Sequence, residues 1–298
     1  MICVDELAKV YPGPVAALRG VSIEIGTGMF GLLGPNGAGK STFMNILAGL
    51  LEPTAGRATL DGIDILNDPR QLWERLGYLP QEFGFYDNLT GQAMLKYLLK
   101  LKGVSAPQGL NQLTNELLEK VNLAFAAKRK VKAYSGGMKQ RLGIAQAIAG
   151  NPRLIIVDEP TAGLDPEERL RFYRLLSELA AERIVILSTH IVEDVANLCS
   201  RFAVIRDGRI IADTSPSAAK AEIEGTLFEG DVDNQLMIAF QSRHRVARAI
   251  LVEGRNRVRI QVTNGSEIPD GFVPVNASLE DAYLLKMHAA KPLQAAVA

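Results

Sequence analysis

One stretch, residues 29–50, constrains the fold of this 298-residue chain more than any other part of the sequence. It opens with a short apolar run that predicts a buried strand. In the loop that follows, four residues fit the spacing G-x-x-x-x-G-K-S/T: Gly34, Gly39, Lys40 and Ser41. An apolar helical pattern comes next, with these residues expected on one face: Phe43, Ile46, Leu47 and Leu50. Strand, glycine-rich loop and helix in this order form the context of a phosphate-binding loop.

Glycine explains why such a loop can bind phosphate. Gly34, Gly37 and Gly39 permit backbone conformations that other residues avoid, so that successive N–H groups can converge on an anion. A helix beginning near Lys40 adds unpaired N–H groups and the positive end of its dipole. We expect Lys40 to reach the β- and γ-phosphates and the Ser41 hydroxyl to bind Mg²⁺. The alternative is a glycine-rich turn that binds nothing, and the complete spacing argues against it.

Composition excludes several classes of function. Lys plus Arg and Asp plus Glu both total 33, so the formal net charge is zero, which argues against nucleic acid as a partner. Cys3 and Cys199 lack metal-like or redox-like spacing, as expected of small core residues in a reducing cytosol. The N-terminus has no secretory signal pattern, and no run reaches the about 18 apolar residues of a membrane span. We therefore expect a cytoplasmic protein that contacts a membrane only through a partner.

The order of the remaining patterns predicts an α/β fold with a doubly wound sheet. Residues 154–157 and 184–187 are continuous apolar runs too short for helices, which is typical of central parallel strands. Helical spacing over about 88–150 predicts a helical insertion. The turn-rich segment 213–217 indicates a boundary, so we predict a nucleotide-binding domain over 1–218 and a small C-terminal α+β accessory domain over 219–298.

The accessory region carries weaker signals. Residues 257–262 alternate between apolar and polar, which predicts a half-exposed strand. Ser278 is expected to cap a closing helix that runs to His288. Six arginines could bind an anion, but we favour a solvated sheet face: Arg243, Arg245, Arg248, Arg255, Arg257 and Arg259.

Two further segments have the chemistry of a nucleotide site. The apolar run 154–157 ends in Asp158 and Glu159. Asp158 is placed to hold Mg²⁺ and Glu159 to polarise a water molecule as a general base; solvated acids at a strand end are the alternative. In 135–137, Ser135 can cap a helix whose glycines leave N–H groups open to an anion.

Together these residues resemble the ATP-binding cassette (ABC) ATPases over residues 1 to about 215. The resemblance implies a P-loop NTPase cassette, with a RecA-like parallel-sheet core, an antiparallel β subdomain and a helical insertion, and it implies ATP and Mg²⁺ as cofactors. The nucleotide-contacting residues that it implies are Tyr11, Gly34, Pro35, Asn36, Gly37, Ala38, Gly39, Lys40, Ser41, Thr42, Ser135, Gly136, Gly137 and Asp165.

The resemblance also implies individual roles. The catalytic residues would be Lys40, Gln81 of the Q-loop, Glu159 and the switch histidine His190. The metal ligands would be Ser41, Gln81 and Asp158. Residues 163–166 look like the D-loop, and Tyr11 would stack on adenine, with a core tyrosine as the alternative. The signature departs from the common Leu-Ser-Gly-Gly-Gln, because Tyr134 and Met138 replace its outer residues.

The chain has one Walker A loop and one signature, so the resemblance implies that two cassettes, as a homodimer, complete the sites. Residues 278–283, Ser-Leu-Glu-Asp-Ala-Tyr, and the signature resemble ATP-binding subunits of ABC-2-type exporters, which serve an integral-membrane permease. Phe83, Phe85 and Tyr86 lie in a loop that either docks such a permease or packs into the core. The alternatives are an ABC ATPase outside transport and a nucleotide-regulated binding module with little turnover.

Overall fold

The computed structural model describes residues 1–13, 15–161, 164–263 and 267–289. Pro14 of the predicted turn after Tyr11 and Gly163 of the predicted D-loop lie outside these residues. The strands are β1 (Ile2–Tyr11), β2 (Val15–Ile25), β3 (Gly28–Leu33), β4 (Ala55–Leu60), β5 (Ile63–Asp64), β6 (Leu76–Leu79), β7 (Leu154–Asp158), β8 (Ile184–Thr189), β9 (Arg201–Arg206), β10 (Arg209–Thr214), β11 (Leu227–Val232), β12 (Arg245–Val252), β13 (Arg255–Gln261) and β14 (Val273–Pro274). The helices are α1 (Lys40–Leu47), α2 (Pro69–Trp73), α3 (Gly91–Lys102), α4 (Leu110–Lys120), α5 (Gly136–Ala147), α6 (Pro166–Ala180), α7 (Val192–Leu198), α8 (Pro216–Ala221), α9 (Met237–Arg243) and α10 (Leu279–Ala289).

A mainly parallel sheet forms the centre of the fold, with the strand order β10-β9-β3-β8-β7-β6. Strands β6, β7, β8, β3 and β9 run parallel, and β10 adds an antiparallel edge. Every residue of β7 and β8 is buried, as expected of central strands covered on both faces. The carboxyl ends of β3, β8 and β7 meet at one edge of this sheet, which is where ligands bind in such folds.

Two hydrophobic clusters cover the faces of the central sheet. Along β7, Leu154 and Ile156 join the cluster that contains α1, whereas Ile155 and Val157 join the cluster that contains α3 to α6. The predicted apolar face of α1 is wrong at one position. Leu50 is 60% exposed, because the helix ends at Leu47 and Gly49 adopts a positive φ of 68°, which turns the chain away from the sheet.

The predicted antiparallel subdomain and helical insertion are both present. Strands β2, β1, β4 and β5 form an antiparallel sheet, and α3, α4 and α5 form the insertion. Tyr134 explains one departure in the signature, because its side chain is 6% exposed and its hydroxyl donates to the Ala126 carbonyl at 2.9 Å. A Cβ on Gly91 would lie 1.8 Å from that hydroxyl, so Gly91 leaves the space that Tyr134 fills.

The C-terminal part of the chain forms a third sheet, in the order β12-β13-β11-β14, with α10 beside it. The 257–262 pattern corresponds to β13, and Ser278 caps α10 by accepting a hydrogen bond from the Asp281 N–H at 3.1 Å. Leu279, Ala282 and Leu285 of α10 belong to the same cluster as the cassette core. The proposed boundary after residue 218 lies within α8, and α8 also contacts α10.

No described helix has the length and apolar character needed to cross a bilayer.

Candidate nucleotide-binding site

The loop between β3 and α1 has no room for larger side chains at two of its glycines. A Cβ on Gly34 would lie 2.4 Å from the Ile205 carbonyl oxygen. Gly39 has a φ of 108°, and a Cβ there would lie 2.5 Å from the Ala17 carbonyl oxygen. Gly39 is also the N-cap of α1 and provides no side-chain acceptor, so the first N–H groups of the helix remain available to an anion.

Lys40 is buried at the first position of α1, with 5% of its side chain exposed. Its Nζ donates to the carbonyl oxygens of Gly34 at 2.8 Å and Pro35 at 3.2 Å, and lies 3.3 Å from Glu159 Oε1. Because a buried ammonium needs such partners, a phosphate that enters this loop must compete with two carbonyl groups and one carboxylate.

Glu159 is the point at which the predicted catalytic residues meet. Its Oε2 lies 3.1 Å from His190 Nδ1 and accepts a hydrogen bond from Gln81 Nε2 at 3.4 Å. The backbone of Glu159 has a φ of 46°, which is unusual for a residue with a side chain and is found at functional sites. The N–H of Glu159 donates to the Ser188 carbonyl at 2.9 Å, which holds this conformation.

Asp158 provides the strongest indication of a cation site. It is 3% exposed, and its Oδ1 has no hydrogen-bond partner among the described residues. Burial raises the pKa of this carboxyl, and the Ser188 and Ser41 hydroxyls oppose the shift in part. An unpaired buried carboxylate oxygen near the Ser41 and Ser188 hydroxyls fits Mg²⁺, which prefers oxygen ligands. Ser41 and Gln81 line a neighbouring cavity, whereas Asp158 does not.

The cavity beside the loop between β3 and α1, here called the phosphate cavity, has a volume of about 290 Å³. It is lined by Ala17, Asn36, Gly37, Gly39, Lys40, Ser41, Thr42, Gln81 and Glu159. Ala38 lies beside it in the loop, 3% exposed. Sequence reasoning did not find Ala17, which comes from the antiparallel sheet and reaches the loop only through the tertiary fold.

Tyr11 lies at the end of β1, close to the same loop. Its hydroxyl is 3.5 Å from Thr42 Oγ1, and the Lys9 Nζ lies 5.4 Å from the centroid of its ring. The side chain is 36% exposed. Tyr11 is therefore a surface residue beside the phosphate loop rather than a core tyrosine, and a ring in this position is available for stacking.

Four of the predicted nucleotide contacts lie away from this cavity: Ser135, Gly136, Gly137 and Asp165. Ser135 caps α5 by accepting from the Met138 N–H at 3.2 Å, and Asp165 caps α6 by accepting from the Glu168 N–H at 2.9 Å. Both caps are exposed. Within a single chain they do not meet the residues of the phosphate loop.

An ion pair that sequence reasoning missed joins these two helix starts. Arg141 Nη2 of α5 lies 3.3 Å from Glu168 Oε2 of α6, and both side chains are largely buried. A Cβ on Gly137 would lie 2.7 Å from the same carboxylate. Since residues 27 positions apart form this contact, no local sequence pattern could have identified it.

His190 contacts Glu159 and also lines a second cavity, of about 730 Å³, between α7 and the accessory region. Arg248, Glu280 and Tyr283 are among the accessory residues of this lining.

The three aromatic residues of the loop after β6 lie in two environments. Phe83 and Phe85 pack against the main core, whereas Tyr86 is 61% exposed.

Comparison with known proteins agrees with this geometry. Residues 18–162 match the model of the ABC transporter family. ABC transporter A family members 7 and 3 of Arabidopsis thaliana are 38% and 37% identical to this chain over 234 residues. Those matches cover 76% of this chain and 25% of each relative, so the chain spans about a quarter of the length of these relatives.

Solved structures give the same result. The dimeric structure of MJ0796, a bacterial ABC transporter cassette, is 28% identical with a TM-score of 0.65, covering 72% of this chain and 98% of that one. The structure of an ATP-binding subunit of an ABC transporter is 28% identical with a TM-score of 0.66, covering 74% and 92%. This chain therefore contains an ATP-binding cassette of the ABC transporter family. The predicted family and P-loop NTPase fold are confirmed.

Proposed function

We propose that two copies of this cassette bind ATP and Mg²⁺ between them, hydrolyse the ATP and thereby power an ABC-2-type membrane exporter. One observation carries the hydrolytic part of the proposal: Lys40, Gln81 and His190 all lie within 3.4 Å of the Glu159 carboxylate. A carboxylate with this surrounding can act as a general base toward water, because it is held in place and close to the phosphate loop.

Phosphate binding would rearrange the partners of Lys40. The ammonium would leave the Glu159 carboxylate for the β- and γ-phosphate oxygens, and the released carboxylate could then accept a proton from the attacking water. His190 would donate to the γ-phosphate. Asp158, Ser41 and Gln81 would hold Mg²⁺, which neutralises developing charge on the phosphate oxygens when it is bound.

A second cassette would complete each site. Ser135 and Gly136 are exposed and lie outside the phosphate cavity of their own chain, so they are available to a nucleotide held by a neighbour. MJ0796, which has the same fold, forms a dimer, and one of its structures is a post-hydrolysis state bound to ADP and Pi. A γ-phosphate gripped from both sides would favour the closed dimer, and its loss would release it.

The decisive experiment uses Glu159→Gln, which removes the base and keeps the side-chain shape. With saturating ATP and Mg²⁺, we expect this variant to form a stable dimer in size-exclusion chromatography with light scattering, and we expect phosphate release to cease. Glu182→Gln, on an exposed glutamate, is the matched control and should behave as the wild type. A Glu159→Gln protein that stays monomeric would contradict the two-cassette site.

The link to a membrane rests on Tyr86. Its ring is exposed and packs edge-on against Tyr97 with 5.6 Å between centroids, which leaves an aromatic surface beside the helical insertion for a permease helix. We expect the protein on the cytoplasmic face of the membrane and Tyr86→Asp to reduce its membrane-bound fraction without weakening ATP binding. Ile238→Asp, at an 85% exposed site in the accessory region, is the control. An unchanged membrane fraction for Tyr86→Asp would count against this docking site.

A further inference from the structure

A buried carboxylate outside the phosphate cavity collects donors from several segments around the site. Asp194, in the first turn of α7, is fully buried. Its Oδ2 accepts hydrogen bonds from the hydroxyls of Thr161 at 2.7 Å and Thr189 at 2.9 Å. Its Oδ1 accepts from Arg169 Nε at 3.0 Å and from the Tyr173 hydroxyl. Four side chains thus share one carboxylate.

The two oxygens of Asp194 serve different parts of the fold. Thr161 lies two residues after Glu159, and Thr189 lies immediately before His190. Oδ2 therefore joins the segments that carry the two members of the Glu159–His190 contact. The Thr189 hydroxyl also accepts from the Ile191 N–H at 2.9 Å, so it holds the turn around His190 from both sides.

The other oxygen of Asp194, Oδ1, contacts neither the Thr161 nor the Thr189 hydroxyl. Arg169 and Tyr173 both lie on α6, four residues apart, and Arg169 Nε also donates to the Tyr173 hydroxyl at 2.6 Å. These contacts anchor Asp194 to α6, a helix that carries neither Glu159 nor His190. A buried carboxylate needs charged or hydrogen-bonded partners. Arg169 and Tyr173 therefore stabilise the negative charge of Asp194.

We propose that Asp194 is a positioning residue, and that the Thr161–Asp194–Thr189 bridge sets the separation of Glu159 and His190 and thereby the rate of ATP hydrolysis. Asp194 does not line the phosphate cavity, so it would act through the two loops that follow β7 and β8 and that contact it through Thr161 and Thr189. The separation that it controls is the 3.1 Å contact between Glu159 Oε2 and His190 Nδ1. This inference rests on the proposed hydrolytic function. A change in the separation should alter the rate, because displacement of a catalytic group by about 1 Å can cost about 100-fold.

Replacing Asp194 itself would leave Arg169 without its partner in the core, so a loss of activity could reflect unfolding. Two single-hydroxyl substitutions avoid this problem. Thr161→Val and Tyr173→Phe each remove one hydroxyl donor to the same carboxylate from a buried side chain, 4% and 8% exposed respectively. Only the first acts on the bridge between the two loops.

For Thr161→Val we expect kcat to fall about 10- to 100-fold while KM for ATP stays within about twofold. For Tyr173→Phe we expect a lower melting temperature, because two hydrogen bonds at its hydroxyl are lost, but kcat within about twofold of the wild type. In hydrogen–deuterium exchange without nucleotide, the peptides that contain Glu159 and Ile191 should exchange faster in Thr161→Val than in Tyr173→Phe.

Equal losses of kcat in the two variants, or losses that follow the melting temperatures, would overturn the positioning role and leave Asp194 as a structural anchor. Indistinguishable exchange in the two loops would overturn it as well. A wild-type protein without ATPase activity would instead defeat the proposed function, and the exchange measurement would still decide whether the bridge holds the two loops.

Discussion

Buried charged side chains occur in both the phosphate site and the accessory region, but they have different partners in the two regions. In the site, Asp158 Oδ1 has no partner among the described residues, and Lys40 relies on carbonyl oxygens and Glu159. In the accessory region, one oxygen of the fully buried Asp281 also lacks a partner, but its Oδ2 accepts from Arg259 at 2.9 Å and twice from Ser278. The site keeps partners that a ligand can replace, whereas the accessory region pairs its buried carboxylate with an arginine.

The arginines of the accessory region fit this contrast. Three of the six that could have bound an anion are paired with carboxylates instead: Arg248 with Glu280, Arg257 with Asp231, and Arg259 with Glu229 and Asp281. An arginine that already has an acidic partner binds a further anion poorly, because the carboxylate competes for its donors. We therefore expect the accessory pairs to contribute to stability and the cassette charges to contribute to binding and catalysis.

The largest effect tests the cassette side. We expect Glu159→Gln to lower kcat at least about 1,000-fold, which corresponds to about 4 kcal/mol in the activation barrier, because the amide cannot accept the proton of the attacking water. The free energy of unfolding of the nucleotide-free protein should change by less than about 1 kcal/mol. Glutamine preserves the size of the side chain, its amide oxygen can still accept from Lys40, and Lys40 keeps the carbonyl oxygens of Gly34 and Pro35 as partners. Steady-state phosphate release and chemical denaturation measure the two quantities. A variant that loses stability and activity in proportion would contradict the contrast.

Arg259→Met tests the accessory side. The substitution keeps part of the apolar stem but leaves Asp281 buried without its cation, so we expect the protein to lose about 3 kcal/mol of stability. At temperatures at which the variant remains folded, kcat should stay within about twofold of the wild type. Arg257→Met, where the ion pair is about half exposed, is the matched control and should lose far less. A large fall in kcat for folded Arg259→Met would mean that the accessory region takes part in hydrolysis.

Local patterns predicted several of the residues that the structure brings together beside the phosphate loop. Lys40, Asp158 and His190 each follow an apolar run, and the rule that parallel strands end at one edge of a sheet places all three together. Glu159 follows from the same rule, because it comes directly after a buried strand, whereas Gln81 was predicted from the resemblance to the ABC ATPases. The structure brings these five residues to one edge of the central sheet, so the motifs and the topology agree.

Other features have no local signal. The positive φ of Glu159 depends on a backbone hydrogen bond to Ser188, 29 positions later in the chain. Asp194 reads as an ordinary acidic residue in the first turn of a short helix, and only the fold brings it donors from three segments. The sharing of one core by α10 and the cassette likewise depends on packing between distant elements, which periodicity cannot predict.

Asp158→Asn tests the contrast through stability and pH. Because burial raises the pKa of Asp158 in the folded protein, the folded state binds this proton more tightly than the unfolded state does. Stability from this group is therefore present at low pH and is lost as pH rises through the raised pKa. We expect Asp158→Asn to stabilise the nucleotide-free protein by about 1 kcal/mol at neutral pH and by less near pH 4, while hydrolysis is lost. Denaturation curves at several pH values measure the difference. A variant less stable than the wild type at neutral pH would show that Asp158 is already satisfied.

The smallest expected effect comes from Arg248, whose pair with Glu280 at 2.6 Å is partly exposed on both sides. Exposed ion pairs contribute little because solvent screens them, so we expect Arg248→Gln to change the free energy of unfolding by less than about 1 kcal/mol. The same pair lines the cavity that His190 faces, which makes kcat the more informative measurement. If the accessory region contributes only to stability, kcat should remain unchanged, as for Arg259→Met. A change in kcat with unchanged stability would instead indicate that the accessory region acts on His190 through this cavity. Charged residues of the accessory region would then contribute to catalysis as well as to stability, contrary to the contrast drawn above.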